Sequence, residues 1–264
     1  MTAGLAVAHE DAVLRITLDR PEKRNALDDT MVAGLIALVA AAGRDESVRA
    51  ILLTGAGEHF CSGADIVARN TGGDTRPRVG SIQRRLPDQA HRLIPVLLET
   101  QTPIVGAVRG WAAGIGLALT LAADVAVVAE DARFWAPYAA RGFTPDGGVT
   151  WLLPRRIGEV RARRMVLLGE RIDGVTAAGW GLVDRAVPAA RVDAEAAEVA
   201  AALAAGPTVA LGLTKSLLHT GRGSGLDAQL RDEAFALELS SRSEDFREGL
   251  SAFREKRSPK FSGR

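Results

Sequence analysis

The chain is poor in several residue types, and each scarcity excludes something. Among its 264 residues there is a single cysteine, Cys61. A disulfide framework within one chain is therefore impossible, and such thiol usage fits a reducing compartment, so a cytoplasmic location is expected. The four histidines, His9, His59, His91 and His219, are scattered and lack metal-ligand spacing with Cys61, so no metal is expected. Net charge is only +1, from 33 basic and 32 acidic residues, and bulk charge gives no reason to expect nucleic acid as a partner. Long apolar runs are also missing. The most membrane-like stretch, GWAAGIGLALTLAA at 110–123, is bracketed by Arg109 and Asp124. It falls short of the ~20 residues that a bilayer-spanning helix needs. The start, MTAGLAVAHEDAV, has no basic segment followed by an apolar core, so neither a secretory leader nor a membrane partner is expected.

What is present is the composition of a soluble globular protein, 47% hydrophobic and 25% charged. The length is ample for a sizeable core. VLRITL at 13–18 reads as a strand, and the loop RPEKRNALD leads to a helix that Asp28 or Asp29 can N-cap and that runs to about Ala42. Met31, Leu35, Leu38 and Val39 share its apolar face. VRAILLTG is a continuous apolar run ended by Gly55, the pattern of a strand buried in a sheet. GAGEHFCSGAD is a loop leading into a helix, and NTGGDTRPRVG at 70–80 reads as a mobile surface loop. A helix is expected over roughly Ile82 to Leu98. Strands follow at PIVGAVRG, DVAVVAE and LVDRAVP, with the buried helix of 110–123 after the first of them and another helix opening near Gly147 or Gly148. From about Arg191 to Arg257 the pattern is almost wholly helical. Strand–loop–helix units followed by a helical tail define an α/β class without choosing an architecture within it.

Three glycine-bearing loops each follow a strand: HFCSGADI at 59–66, RGWAAGIG at 109–116 and GFTPDGG at 142–148. On spacing alone, Gly63 and Gly114 are as readily turn residues, and Asp65 a helix cap. Taken in order with RPEKRNALD and SEDFREGLSAFREKRSPKF, however, the loops resemble the enoyl-CoA hydratase/isomerase family, also called the crotonase family. The resemblance covers nearly the whole chain. It implies an α/β fold in which a spiral of ββα units (residues 1–190) carries the acyl-CoA site. It further implies a helical C-terminal region (191–264) for trimerisation and for covering CoA, in a homotrimer or homohexamer. It implies an acyl-CoA thioester substrate, with no cofactor beyond the CoA moiety of that substrate.

The shared chemistry of that family is stabilisation of a thioester enolate. Removing a proton next to the carbonyl places negative charge on its oxygen, and two backbone N–H groups aimed there hold it without reorganisation. A donor at a helix N-terminus also gains from the helix dipole. By motif position the donors would be the amides of Ala64 and Ile115; many relatives carry glycine where Ile115 stands. The resemblance places Lys23 and Arg24 in the loop that meets the CoA phosphates. The backbone around Ser62, Ala64, Asp65 and Ile66 would meet the adenine and pantetheine arm. Phe253 and Lys256 match a C-terminal pair that reaches CoA, sometimes from a neighbouring subunit; a plain helix face is the simpler account of that pair.

Hydratases of the family use two glutamates, and their positions here hold Ala118 and Tyr138, the latter in FWAPY. Alanine cannot transfer a proton, and a tyrosine with a pKa of ~10 is a poor base near neutrality. Of the carboxylates between Gln101 and Gly158, Asp124 reads as a structural cap, and Glu130 and Asp131 lie together in a polar turn. Asp146 remains, in a turn that Pro145 and Gly147 are suited to set, with Phe134, Trp135, Phe143 or Trp151 available as an apolar wall. The segment GFTPDGGVTWLLPRRIG is similar to the epoxyphenylacetyl-CoA isomerase branch of the family, in which an aspartate here is the acid/base. The catalytic set implied is therefore Asp146 with the amides of Ala64 and Ile115, in a pocket shaped by Gly114, Ala118 and Tyr138. An enoyl-CoA isomerase is the leading expectation. A hydratase of low or unusual activity, a non-catalytic acyl-CoA-binding protein, and a 4-halobenzoyl-CoA dehalogenase using Asp146 with His91 remain alternatives, as do thioesterase and decarboxylase activities on the same oxyanion hole.

Overall fold

A computed structural model describes residues 3–65 and 78–264. Its strands are β1 (Leu5–Glu10), β2 (Val13–Leu18), β3 (Ala50–Gly55), β4 (Ile104–Val108), β5 (Trp111–Ala113), β6 (Val125–Ala129), β7 (Arg133–Trp135), β8 (Arg171–Asp173) and β9 (Arg185–Val187). Its helices are α1 (Asp29–Ala42), α2 (Ser81–Arg85), α3 (Leu93–Glu99), α4 (Ile115–Ala122), α5 (Val149–Leu167), α6 (Gly174–Trp180), α7 (Val192–Ala204), α8 (Thr208–Thr220), α9 (Leu226–Ser240) and α10 (Glu244–Glu255).

The main sheet has the order β1-β2-β3-β4-β6-β9, parallel except where β1 pairs with β2. Every residue of β3 and β4 is buried, as expected of parallel strands covered on both faces. Helix α7 packs against β3, β4 and β6 and contributes Val192, Ala196 and Ala200 to the core.

A second layer is built from much shorter pieces. Strands β5 and β7 pair in parallel and β8 closes the small sheet antiparallel. Single bridges extend this layer: Cys61 pairs with Ala112, and Leu27 with Ala64. Each turn of the chain therefore lays one strand in the main sheet and one short extended piece in the second layer. A helix then follows, as in β2–Leu27–α1, β4–β5–α4 and β6–β7–α5. This is the crotonase-like spiral, with α8 to α10 appended.

Local chemistry accounts for the elements. The Asp28 side chain accepts from the Met31 amide at 2.9 Å and opens α1, a cap worth about 1 kcal/mol. The helix expected over Ile82 to Leu98 is instead broken. Helix α2 gives way to 3₁₀ turns at Leu86–Asp88 and Ala90–Arg92, and α3 begins only at Leu93. Pro87 has no N–H to continue a helix, and Gln89, at φ −123° and ψ −109°, lies outside helical space. The helix expected after residue 65, and residues 70–77 of the loop read as mobile, lie outside the described residues. Among the described residues no single helix is long and apolar enough to cross a membrane.

Candidate active site

Three turns of the spiral meet where the second layer passes into helix. In the first, the Leu27 amide donates to the Gly63 carbonyl at 2.9 Å, and the Leu27 carbonyl accepts from the Asp65 amide at 2.8 Å. This parallel bridge uses the groups on either side of Ala64 and turns the Ala64 amide the other way, where it has no backbone acceptor among the described residues. In the second, the Gly114 amide donates to the Trp135 carbonyl at 3.0 Å, and Ile115 opens α4. The Ile115 amide belongs to the first helical turn, whose donors have no intrahelical acceptor. Gly114 has φ 55° and ψ −117°, a conformation that a side chain would strain. A Cβ there would lie 3.7 Å from the Gly63 Cα, so the two turns abut. Two main-chain donors with no main-chain acceptor among the described residues, on touching turns and one of them at a helix N-terminus, are an arrangement able to hold an oxyanion.

The third turn carries Asp146, and its register corrects the expectation. Pro145 does not occupy a central position. The turn spans Asp146 to Val149, with the Val149 amide donating to the Asp146 carbonyl at 3.4 Å and with φ of 59° at Gly147 and 77° at Gly148. Two consecutive positive φ angles suit glycine, which moves the turn one residue on and leaves Asp146 as its first residue. A Cβ at Gly147 would stand 3.7 Å from the Ala118 Cβ and 3.8 Å from the Ile115 Cγ1. The turn therefore rests on the side chains of Ile115 and Ala118, in the first turns of α4.

Tyr138 is buried, and its hydroxyl donates to the Asp146 carbonyl at 3.5 Å. A Cβ at Gly114 would be 3.9 Å from that hydroxyl, which places it between the second and third turns. Burial above all, with the Asp146 charge nearby, pushes the phenol well above its ordinary pKa, so it is a neutral donor. Phe143 stands edge-on to the Tyr138 ring at 5.5 Å. Of the four aromatics proposed as a wall, it alone is seen beside this pair. Phe134 is wholly buried in the core, the Trp135 indole donates to the Gly169 carbonyl at 3.1 Å, and Trp151 is exposed beneath Arg155. Asp124 accepts from the Ile104 amide and from Lys215 Nζ, each at 2.7 Å, which is the structural role expected of it.

The loop expected to meet CoA is tied to the first turn. The Ser62 amide donates to the Arg24 carbonyl at 3.0 Å and the Ser62 hydroxyl to the Lys23 carbonyl at 3.3 Å, while both basic side chains are exposed. The Asp65 side chain faces Arg20 at 3.0 Å, and Ile66 lies outside the described residues. No hydrogen bond, ion pair or ring contact joins Phe253 or Lys256 to these loops among the described residues. Phe253, on α10, is 83% exposed. His91 is exposed in its 3₁₀ turn, with no bond to Asp146 among the described residues.

Two braces of the site escaped the sequence reading. Arg20 bridges Asp28 and Asp65. Asn25, fully buried, accepts from the Arg20 amide and donates to the carbonyls of Ala56 and His59 at 2.9 and 2.6 Å. The only local cue was an asparagine, a residue that tolerates the left-handed conformation in which Asn25 sits, at φ 55°. Asn25→Ala is expected to cost roughly 1–3 kcal/mol per buried group left unsatisfied. A thermal melt should read this as a Tm lower by about 2–4 °C per kcal/mol.

Comparisons with known proteins identify the family. The family described as Enoyl-CoA hydratase/isomerase matches residues 8–264. The chain is 38% identical to the 1,2-epoxyphenylacetyl-CoA isomerase of Escherichia coli (strain K12), over 97% of each chain. It is 41% identical to a Rhodobacter capsulatus protein named "Probable enoyl-CoA hydratase", over 100% of this chain and 96% of that one. A solved structure of an enoyl-CoA hydratase from Bacillus anthracis superposes with a TM-score of 0.91 at 30% identity, covering 99% of this chain and 100% of that one. The chain belongs to the enoyl-CoA hydratase/isomerase family, whose members act on acyl-CoA thioesters.

Proposed function

We propose that this chain is an enoyl-CoA isomerase in which Asp146 moves the proton and the amides of Ala64 and Ile115 hold the thioester oxygen. The observation that carries this reading is the placement of Asp146. Its turn rests on Ala118 and Ile115 and its carbonyl accepts from Tyr138, which supports a carboxylate on the same side of the site as the Ile115 turn, while the two positions matching the hydratase glutamates hold Ala118 and Tyr138. Asp146 takes a proton from C2 of a 3-enoyl thioester. The electrons delocalise onto the carbonyl oxygen, where the two amides meet the developing charge. The carboxyl group so formed returns a proton at C4, giving the 2-enoyl thioester without consuming water or any redox partner. One carboxylate suffices for this shuttle, whereas hydration also requires a group to activate water. Gly114, Ala118 and Tyr138 shape the acyl pocket. Lys23 and Arg24, with the main chain of residues 62–66, take the CoA end, and no cofactor beyond CoA itself is required.

Hydration is the second reading, favoured by the name of the Rhodobacter capsulatus relative. The discriminating assay offers a 3-enoyl-CoA and a 2-enoyl-CoA to the wild type and to Asp146→Asn. Isomerisation of the first, lost in the variant, is the expected outcome. Efficient conversion of the second to a 3-hydroxyacyl product would overturn the isomerase assignment.

The assembly proposed is a homotrimer or a pair of trimers. Its support is the apolar surface on the C-terminal helices: Leu226, Leu230, Phe235, Leu237 and Leu239 on α9 and Leu250 and Phe253 on α10 are all about half exposed or more. Such a surface is what a symmetric interface would cover. In that assembly Phe253 and Lys256 would reach the CoA of a neighbouring subunit. Light scattering coupled to size exclusion should give three or six times the 27.8 kDa chain mass, and a monomer would reject the proposal.

A further inference from the structure

We propose that Tyr138 is a positioning residue, whose hydroxyl donates a hydrogen bond to Asp146 and holds it toward the acyl chain. The inference rests on the isomerase reading above and deepens it.

Three observations lead there. First, the ring is fixed. Tyr138 is 2% exposed, the Phe143 ring meets it at 88°, and its carbonyl accepts from the amides of Arg141 and Phe143 at 3.0 and 3.2 Å. Second, the hydroxyl lies between the turn of Gly114 and the turn of Asp146. Third, its bond to the Asp146 carbonyl, at 3.5 Å, is long beside the ~2.7–2.8 Å usual between oxygens. That contact is too weak to commit the donor, so the hydroxyl can serve the carboxylate of the same residue. A bond from a neutral phenol to an ionised carboxylate is charge-assisted and stronger than the carbonyl bond it replaces. Because burial and the Asp146 charge keep the phenol protonated, Tyr138 donates and does not compete as a base. Among the described residues Asp146 is the one charged group seen to act on this hydroxyl; the Arg141 guanidinium, three residues along the chain, stacks on Trp135 instead.

The position that matches a hydratase glutamate is, on this account, still part of the proton-transfer machinery. It has exchanged a carboxylate that handles water for a donor that holds another carboxylate. Loss of the hydroxyl should therefore reduce kcat for proton transfer and leave KM nearly unchanged. One charge-assisted hydrogen bond corresponds to a fall on the order of ten-fold or more.

Tyr138 is the only tyrosine in the chain, so meta-fluorotyrosine incorporation gives a single fluorine NMR signal from this ring. The expected result is that Asp146→Asn shifts that signal without substrate present, while Tyr138→Phe, which retains the ring and its contact with Phe143, lowers kcat at unchanged KM. A signal identical in the wild type and Asp146→Asn, or a Tyr138→Phe variant with unaltered kcat, would overturn the inference. A loss confined to KM would do the same and make the hydroxyl a substrate contact. Failure of the isomerase reading looks different, since Asp146→Asn itself would then remain active.

Discussion

Asp146→Asn should lower kcat/KM for isomerisation of a 3-enoyl-CoA by roughly 10²–10⁴-fold, the usual contribution of a positioned acid or base. The amide is the same shape as the carboxylate and can still accept from Tyr138, so the turn from Asp146 to Val149 and its contacts with Ala118 and Ile115 should survive. The loss should therefore fall on kcat, and a thermal melt should stay close to the wild type. Asp146 is partly buried and no ion pair to it is seen among the described residues, so exchanging its charge for a neutral isostere should alter stability little. Rapid mixing with substrate, followed by hydrogen exchange at C2 from deuterated water, separates the two ways of losing activity. If Asp146 is the base, exchange stops along with turnover. Unchanged exchange in the variant would move the base elsewhere in the pocket.

The second large effect concerns a group that no side-chain substitution ordinarily reaches. Ile115→Pro deletes the main-chain donor at the start of α4. Proline at the first helical position is well tolerated, because that N–H has no helical acceptor and the fixed φ suits the helix. The usual clash with the preceding residue is also reduced, since Gly114 has no Cβ. Removal of one oxyanion donor is expected to cost about 10²–10³-fold in kcat. Ile115→Ala is the necessary control, because it shortens the side chain equally drastically while leaving the amide. Proline inactive and alanine active would assign the function to the backbone. Both equally impaired would assign it to the packing of Ile115.

How much of this was legible in the sequence depended on element length and burial. Strands β3, β4 and β6 stood out as apolar runs because parallel strands are covered on both faces. Strands β5, β7 and β8 did not, since three residues are too few to display a period of two. Strand β1 was missed for the opposite reason. It is an edge strand exposed along nearly its whole length, with no buried face to set a pattern. The apolar content of residues 82–98 suggested one helix, and Pro87 decided otherwise. At the site, the glycine-bearing loops could be read because a close main-chain approach leaves glycines behind. The meeting of Tyr138 with Asp146 could not be read, because it depends on how two turns of the spiral stack.

The stacking in the second layer has a further consequence. Neighbouring strands stand ~4.8 Å apart wherever their main chains are bonded. Leu27 against Ala64, Cys61 against Ala112 and Ala113 against Trp135 make the loops that follow an evenly pitched series. The distance from the Ala64 amide to the Ile115 amide is thus governed by peptide geometry, and the identity of the side chains at those positions has little hold over it. On the proposed reading, moving an acidic residue from one loop to the next would change the reaction while the spacing of the Ala64 and Ile115 amides stayed as it is. A chain with Ala118, Tyr138 and Asp146 is one permutation of that arrangement, and exchanging residues among these three positions is the natural route for redirecting it.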